Sequence, residues 1–113
     1  MKDIEFQTKA LINSIRKSNE YNQYQRLYAK IEQDVVLLSG LNEFRKRNLN
    51  IQLQGNENSL ETCAMVRMEY EKVLSNPLVS EFLIAEQRLT TMLKEITHLI
   101  YDNVDLKIDF MED

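Results

Sequence analysis

Apolar side chains recur every three or four positions along most of the chain, which is the spacing of one face of an α-helix. In a first segment of about residues 3–17, the side chains of Ile4, Leu11 and Ile15 share such a face. Ser18 then offers a side chain that caps helices, so a second helix is predicted to begin there. Its apolar positions are Tyr21, Tyr24, Tyr28, Ile31 and Val35.

A third helix is predicted after Asp34, which is a favourable capping residue, and Gly55 offers a left-handed stop for it. Its apolar period passes through Leu37, Leu38, Leu41, Phe44, Asn48 and Ile51. Gly40 lies inside this helix and costs about 1 kcal/mol relative to Ala. We therefore expect either a close approach of two backbones or a bend at Gly40.

A fourth helix is predicted to begin after the polar loop at residues 56–59, where Asn58 and Glu61 have the spacing of a capping box. It is predicted to reach Leu74, with an apolar face of Cys63 or Ala64, Met68 and Val73. The methionines, including Met65, Met68 and Met92, are interpreted as side chains that fill gaps in a core.

The strongest local signal is Ser75-Asn76-Pro77. Asn76 is predicted to cap a helix, and Pro77 suits its first position, where no amide donor is needed. The apolar period then continues through Leu78, Phe82, Ala85, Leu89, Met92, Ile96 and Leu99. A helix from Pro77 to about Asp102 is roughly 39 Å long, which is longer than a globule of this mass is wide. The sequence therefore predicts an all-α, elongated antiparallel bundle of four to five helices, and the broad stripe predicts a dimer.

The bundle is predicted to occupy residues 1–101, followed by an acidic tail at residues 102–113. The tail accounts for the whole net charge of −4, because residues 1–101 carry equal numbers of acidic and basic side chains. Within it Val104, Leu106, Ile108 and Phe110 alternate with polar residues, a period of two that is typical of a strand but too short to form a sheet alone. A neutral body with an acidic tail does not attract phosphates over long range, so direct binding of nucleic acid is not the expected role.

Few catalytic arrangements are compatible with this composition. His98 is the one histidine, Cys63 the one cysteine, and two glycines are too few for a phosphate-binding loop. A non-enzymatic protein without a cofactor is expected. Cys63 alone cannot form an intrachain disulfide, and with no signal peptide and no apolar run near 18 residues, a cytoplasmic protein without a membrane segment is expected.

Two alternatives follow from short motifs. Arg45-Lys46-Arg47, together with the ridge of Tyr21, Tyr24 and Tyr28, is compatible with an adaptor that contacts RNA. Glu95 and His98 have the Glu-x-x-His spacing of di-iron bundles, but one chain supplies the motif once, so a metal site would need a dimer. For the tyrosines, the edge of a core is the competing interpretation.

The pattern resembles the YlbF/YmcA family of small helical regulators of Gram-positive bacteria. The likeness covers roughly residues 5–101 and rests on Glu20-Tyr21, Tyr24, Asp34, Phe44 and the Asn76-Pro77-Leu78-Val79 opening that leads through Phe82, Ala85, Leu89, Leu93 and Ile96. The resemblance implies a self-associating helical protein without catalysis of its own. It also implies an accessory factor for competence, biofilm formation and sporulation, acting with related helical subunits and with an endoribonuclease that processes messenger RNA.

Some members of that family carry cysteines near the C-terminus that take part in iron–sulfur binding. Residues 104–113 contain no cysteine, so this property is not carried over. The predicted function is a regulatory accessory subunit that works by assembly. Its predicted interface with a partner or with a second copy consists of Tyr21, Tyr24, Tyr28, Phe82, Leu89, Met92, Leu93 and Ile96.

Overall fold

A computed structural model describes residues 1–53, 55 and 60–105 of the chain. The described residues form six helices and no strand, which confirms the all-α prediction. The helices are α1 (Lys2–Arg16), α2 (Asn19–Glu32), α3 (Val35–Leu53), α4 (Leu60–Glu69), α5 (Glu71–Leu74) and α6 (Pro77–Val104). No helix in this described part is long and apolar enough to cross a membrane.

Side-chain caps fix where three of these helices begin. The Ser18 side chain accepts from the amide of Tyr21 at 3.2 Å, and Asp34 accepts from that of Leu37 at 3.1 Å. Asn76 accepts from the amide of Leu78 at 2.9 Å, and Pro77 follows it at the start of α6. The predictions for these caps are confirmed, as is the left-handed Gly55, whose φ is 75°. The predicted capping box at Asn58 lies outside the described residues.

The main core lies where α2, α3 and α6 meet. Its buried members are Leu27, Ile31, Leu41, Val79, Phe82 and Ala85. A second cluster joins α3 to α4 through Phe44, Ile51 and Val66. The start of α2 shares a cavity with Ala85 and Arg88, whereas Tyr28 farther along α2 packs on Phe82, so α2 and α6 run in opposite directions.

Gly40 marks a close approach between α3 and α5. A Cβ atom at this position would lie 2.6 Å from Cγ2 of Val73, well inside van der Waals contact. Of the two expectations for Gly40, the close approach is therefore the one that the structure bears out.

Several predicted positions are corrected by the structure. Val35 does not continue the face of α2, because α2 ends at Glu32 and Val35 begins α3 as an exposed residue. The predicted fourth helix is divided at Tyr70, whose φ of −109° and ψ of 24° are not helical. Its buried residue is Val66, whereas Met65 and Met68 are exposed and fill no gap in a core. The long helix continues to Val104, so the first residues of the predicted tail are helical.

Candidate protein-interaction surface

The first helix is apolar along one face, and this face makes few contacts within the described part of the chain. None of its residues is buried, and its substantial contacts in the described structure are with α2. Ile4 is 61% exposed, and Leu11 and Ile12 on neighbouring positions are exposed as well. A helix of this length is only marginally stable alone, because most helical stability in proteins comes from packing an apolar face.

The last third of α6 also has an apolar face that is largely exposed. Phe82, Ala85 and Leu89 are buried on one side of this helix. The same side continues at helical spacing through Leu93, which is 40% exposed, and Ile100, which is 52% exposed. Ile96 between them is half-buried. The stripe is thus one continuous feature of the sequence, and the residues that the structure describes cover only its first part.

We call the exposed apolar residues of α1 and of the end of α6 the uncovered stripes. Their members are Ile4, Leu11 and Ile12 on α1 and Leu93, Ile100 and Val104 on α6. Exposed apolar side chains that recur along one helix face, rather than singly, are typical of sites of protein–protein interaction.

The tyrosine ridge has a different environment. The rings of Tyr24 and Tyr28 lie 5.2 and 5.8 Å from the ring of Phe82, measured between centroids. Phe82 itself is fully buried. Tyr21 is half-buried, and its hydroxyl accepts a hydrogen bond from Nε2 of Gln25 at 2.9 Å. The ridge therefore forms the edge of the core, and only the exposed parts of the rings are available to a partner.

The eight residues of the predicted interface are thus not equivalent. Phe82 and Leu89 are buried in the chain's own core, and Tyr24 and Tyr28 line its edge. Met92 and Ile96 are half-buried, and Leu93 is exposed. What reasoning from the sequence missed is α1: its apolar stripe was visible, but nothing local indicated that the stripe would stay uncovered.

The basic triplet is largely neutralised within the chain. The guanidinium of Arg45 pairs with the carboxylate of Glu86 and lies 5.4 Å from the centre of the Phe82 ring. It also donates to the hydroxyl of Tyr24 at 3.5 Å. Arg47 pairs with Glu69 at 3.3 Å. With two of three cations engaged, this surface offers little of the free positive charge on which phosphate binding depends.

Glu95 and His98 both lie on the exposed side of α6. Within the described residues, no group of three or more His, Cys, Asp or Glu side chains is arranged to hold a metal ion. Cys63 is half-buried beside Ile51 and Val66.

Comparison with known proteins places these features in a family. The family model for "Control of competence regulator ComK, YlbF/YmcA" matches residues 4–105. The chain belongs to the YlbF/YmcA family. The resemblance inferred from the Asn76-Pro77 opening and the long helix is confirmed. Because the family is one of regulator control, a general regulatory role that involves protein partners follows from membership.

Relatives of this YlbF/YmcA protein occur in several bacteria. A UPF0342 protein of Caldicellulosiruptor saccharolyticus is 31% identical over 100 residues, covering 86% of this chain and 83% of the relative. UPF0342 proteins of Staphylococcus saprophyticus (29% identical, 84% of this chain and 86% of the relative) and Symbiobacterium thermophilum (28%, 89% and 93%) are also similar. These alignments extend over most of both chains. No solved structure matches the chain.

Proposed function

We propose that this protein is a non-catalytic assembly subunit of a cytoplasmic regulatory complex and that its working surface is formed by the uncovered stripes. The observation that carries the proposal is α1, a 15-residue helix with no buried residue. Such a helix gains stability from a partner that covers its apolar face.

The first partner is a second copy of this chain. Its radius of gyration is 17.5 Å, whereas a compact domain of this length has about 13 Å. Its accessible surface is 9266 Å², whereas a folded monomer of this mass exposes about 6,500 Å². The excess is larger than the roughly 800 Å² that one partner contributes to an interface of standard size. The chain therefore has enough surplus surface for a stable dimer.

The regulatory complex is the finer part of the proposal. We propose related helical subunits and an endoribonuclease as further partners, in the control of competence, biofilm formation or RNA processing. Membership of the family supports the general part of this proposal, a regulatory role that involves protein partners. A tagged pull-down from the native cell, divided into nuclease-treated and untreated halves, tests this. Stoichiometric recovery of such proteins in both halves supports it; recovery of the tagged chain alone contradicts it.

The oligomer itself is tested with charges placed in the stripe of α6. The side chains of Leu93 and Ile100 are exposed in the monomer, so Leu93→Asp and Ile100→Asp leave the core intact. Leu89 is buried, so Leu89→Asp would disturb the core directly. Analytical ultracentrifugation is expected to show a dimer for the natural chain and a monomer for both variants. Thr91→Asp, on another side of the same helix, is the matched control, and His98→Ala is a second; both are expected to stay dimeric. A dimer unaffected by Leu93→Asp and Ile100→Asp contradicts the proposed interface.

A further inference from the structure

The apolar positions of α1 and of the second half of α6 have the same spacing. On each helix four residues follow one another at intervals of four, three and four, and we call them the seam residues. They are Ile4, Thr8, Leu11 and Ile15 on α1, and Leu89, Leu93, Ile96 and Ile100 on α6. We propose that α1 of one copy packs in parallel along α6 of a second copy through these residues. The inference rests on the proposed dimer and names the two helices that meet in it.

This spacing suits a contact between two helices. Intervals of four and three average 3.5 residues, the repeat that keeps one face of a helix against a parallel partner. The layers of the proposed pair are Ile4 with Leu89, Thr8 with Leu93, Leu11 with Ile96, and Ile15 with Ile100. Thr8 is compatible with an apolar layer, because its hydroxyl already donates to the carbonyl of Ile4 at 2.7 Å within α1. The other three layers are aliphatic on both helices.

Charged residues accompany the seam on both helices. The two rows are Glu5, Lys9 and Arg16 on α1, and Arg88, Glu95 and Asp102 on α6. The row on α1 follows the seam residues by one position, about 100° around the helix, and the row on α6 begins one position before its seam, about 100° in the other direction. In two parallel helices that face each other, these rows lie on the same side of the contact. All six side chains are exposed, and none forms a salt bridge within the described residues.

The proposed register brings opposite charges together. The pairs are Glu5 with Arg88, Lys9 with Glu95, and Arg16 with Asp102. Along the helix axes the members of a pair differ by one or two residues, at most about 3 Å. An antiparallel pairing of the same seams would instead bring Lys9 to the level of Lys94. Exposed ion pairs contribute little affinity but discriminate between arrangements, so the charges select the parallel direction.

The two paired helices belong to different copies. Asn19 at the start of α2 lines a small cavity together with Arg88, so it lies near the level of Arg88 on its own α6. Ile100 is twelve residues farther along, about 18 Å. Ile15 precedes Asn19 by four residues, which span at most about 14 Å when extended. They span less here, because the amide of Ser18 donates to the carbonyl of Ile15 at 3.0 Å in a turn. Ile15 therefore does not reach the level of Ile100 in its own chain.

Two-fold symmetry makes the pairing reciprocal. A two-fold axis that brings α1 of one copy onto α6 of the other also does the reverse, so the dimer contains the pairing twice. Each copy then contributes two surfaces, and an interface of standard size needs roughly 400 Å² from each of them. Ile4 and Ile100, which are 61% and 52% exposed, are the most exposed seam residues and gain the most cover.

Disulfide cross-linking between two kinds of chain tests the register. Each chain carries one introduced cysteine, and Cys63→Ser removes the native thiol. When Ile15→Cys chains are mixed with Ile100→Cys chains and oxidised, a cross-linked dimer of the two kinds is expected. Ile4→Cys is the matched control on the same stripe. It lies about 16 Å from Ile15 along α1, and a disulfide needs Cα atoms within about 7 Å, so no cross-link to Ile100→Cys is expected.

The outcomes separate this pairing from the dimer itself. Cross-linking of Ile100→Cys to Ile4→Cys instead of Ile15→Cys would make the helices antiparallel and overturn the proposal. Ile100→Cys chains that cross-link only with one another would place α6 against α6, which keeps the dimer but overturns the pairing. A natural chain that sediments as a monomer would remove the proposed dimer and the pairing together.

Charge reversal with complementation tests the ion pairs. Lys9→Glu/Arg16→Glu reverses the row of α1, and Glu95→Lys/Asp102→Lys reverses that of α6. Each variant alone is expected to dimerise about tenfold more weakly or worse, because four pairs of the dimer become repulsive. An equimolar mixture is expected to recover the natural affinity, since a mixed dimer has one natural pairing and one in which both rows are reversed.

The control for net charge is Lys30→Glu/Lys72→Glu, at exposed positions of α2 and α5. It changes the charge of the chain by the same amount as the reversal on α1, and it is expected to dimerise like the natural chain. Sedimentation over a range of concentrations measures all of these affinities. A loss of affinity that mixing does not reverse would overturn the pairing.

Discussion

Arg45 shows how one residue changes the interpretation of a motif. In the sequence it belongs to a run of three cations, but in the structure it joins α3 to α6 through Glu86 and lies over the Phe82 ring. Arg47, two positions later, makes one half-exposed pair with Glu69. Identical side chains on the same helix therefore have different roles, and the difference can be measured.

We expect Arg45→Ala to lower the free energy of unfolding by about 1–2 kcal/mol, because it removes a partly buried ion pair and a cation–π contact. Arg47→Ala is the matched control, with an expected loss below about 0.5 kcal/mol. Urea unfolding at one fixed chain concentration measures both. Equal losses for the two variants would show that the Arg45 contacts contribute no more than a surface pair.

Gly40 is the second residue with a measurable role. Gly40→Ala improves helix propensity by about 1 kcal/mol, but the new Cβ would lie 2.6 Å from the stiff side chain of Val73. Because overpacking costs about 1–3 kcal/mol, we expect a net loss of stability. The double variant Gly40→Ala/Val73→Ala is expected to lose less than the sum of the single changes. A stabilised Gly40→Ala chain would contradict the close approach of α3 and α5.

At the scale of elements, the start of α6 depends on one cap. Asn76→Ala removes the acceptor for the amide of Leu78, and we expect a loss of about 1 kcal/mol in the free energy of unfolding. Asn76→Ser is expected to restore most of it, because Ser is an equally good capping residue. Ser75→Ala, at the exposed neighbouring position, serves as the control. Thermal and urea unfolding are the measurements; an Asn76→Ala chain as stable as Ser75→Ala would exclude this role for the cap.

The helices and their caps were predictable because these signals are local. Ser18, Asp34 and Asn76 each act within three residues of their own position, so the sequence contains both partners of the bond. The buried face of α4 was not predictable, because Val66 rather than Met68 faces α3 and that choice depends on distant residues.

The candidate interaction surface was likewise predictable from the sequence only in part. The stripe from Phe82 to Ile100 follows from spacing alone, but whether a member belongs to the core or to the surface depends on where α2 begins beside it. Phe82 is buried beneath Tyr24 and Tyr28, and Leu93 lies beyond the core that α2 helps to form. Periodicity therefore predicts which residues share a face, and tertiary contacts determine which part of that face is left for a partner.

At the scale of the whole molecule, the chain measures 47 × 35 × 18 Å, and its described residues form two buried clusters rather than one core that every helix joins. The buried residues belong to α2, α3, α4 and α6, whereas α1 contributes none. The described core of α2–α6 therefore contains no side chain of α1, which agrees with the role in assembly that we propose for α1.

A chain that begins at Ser18 tests this division. Because the cap at Ser18 and the whole buried core are retained, we expect circular dichroism to show α2–α6 still helical and unfolding to stay cooperative. Binding of a partner to the folded state stabilises that state, and the gain grows with the logarithm of the partner's concentration. The melting temperature of the full chain is therefore expected to rise with chain concentration. That of the shortened chain is expected to be independent of concentration, because α1 supplies half of the uncovered stripes. A shortened chain that unfolds would place α1 in the fold itself, and one that keeps the concentration dependence would place the dimer interface on α6 alone.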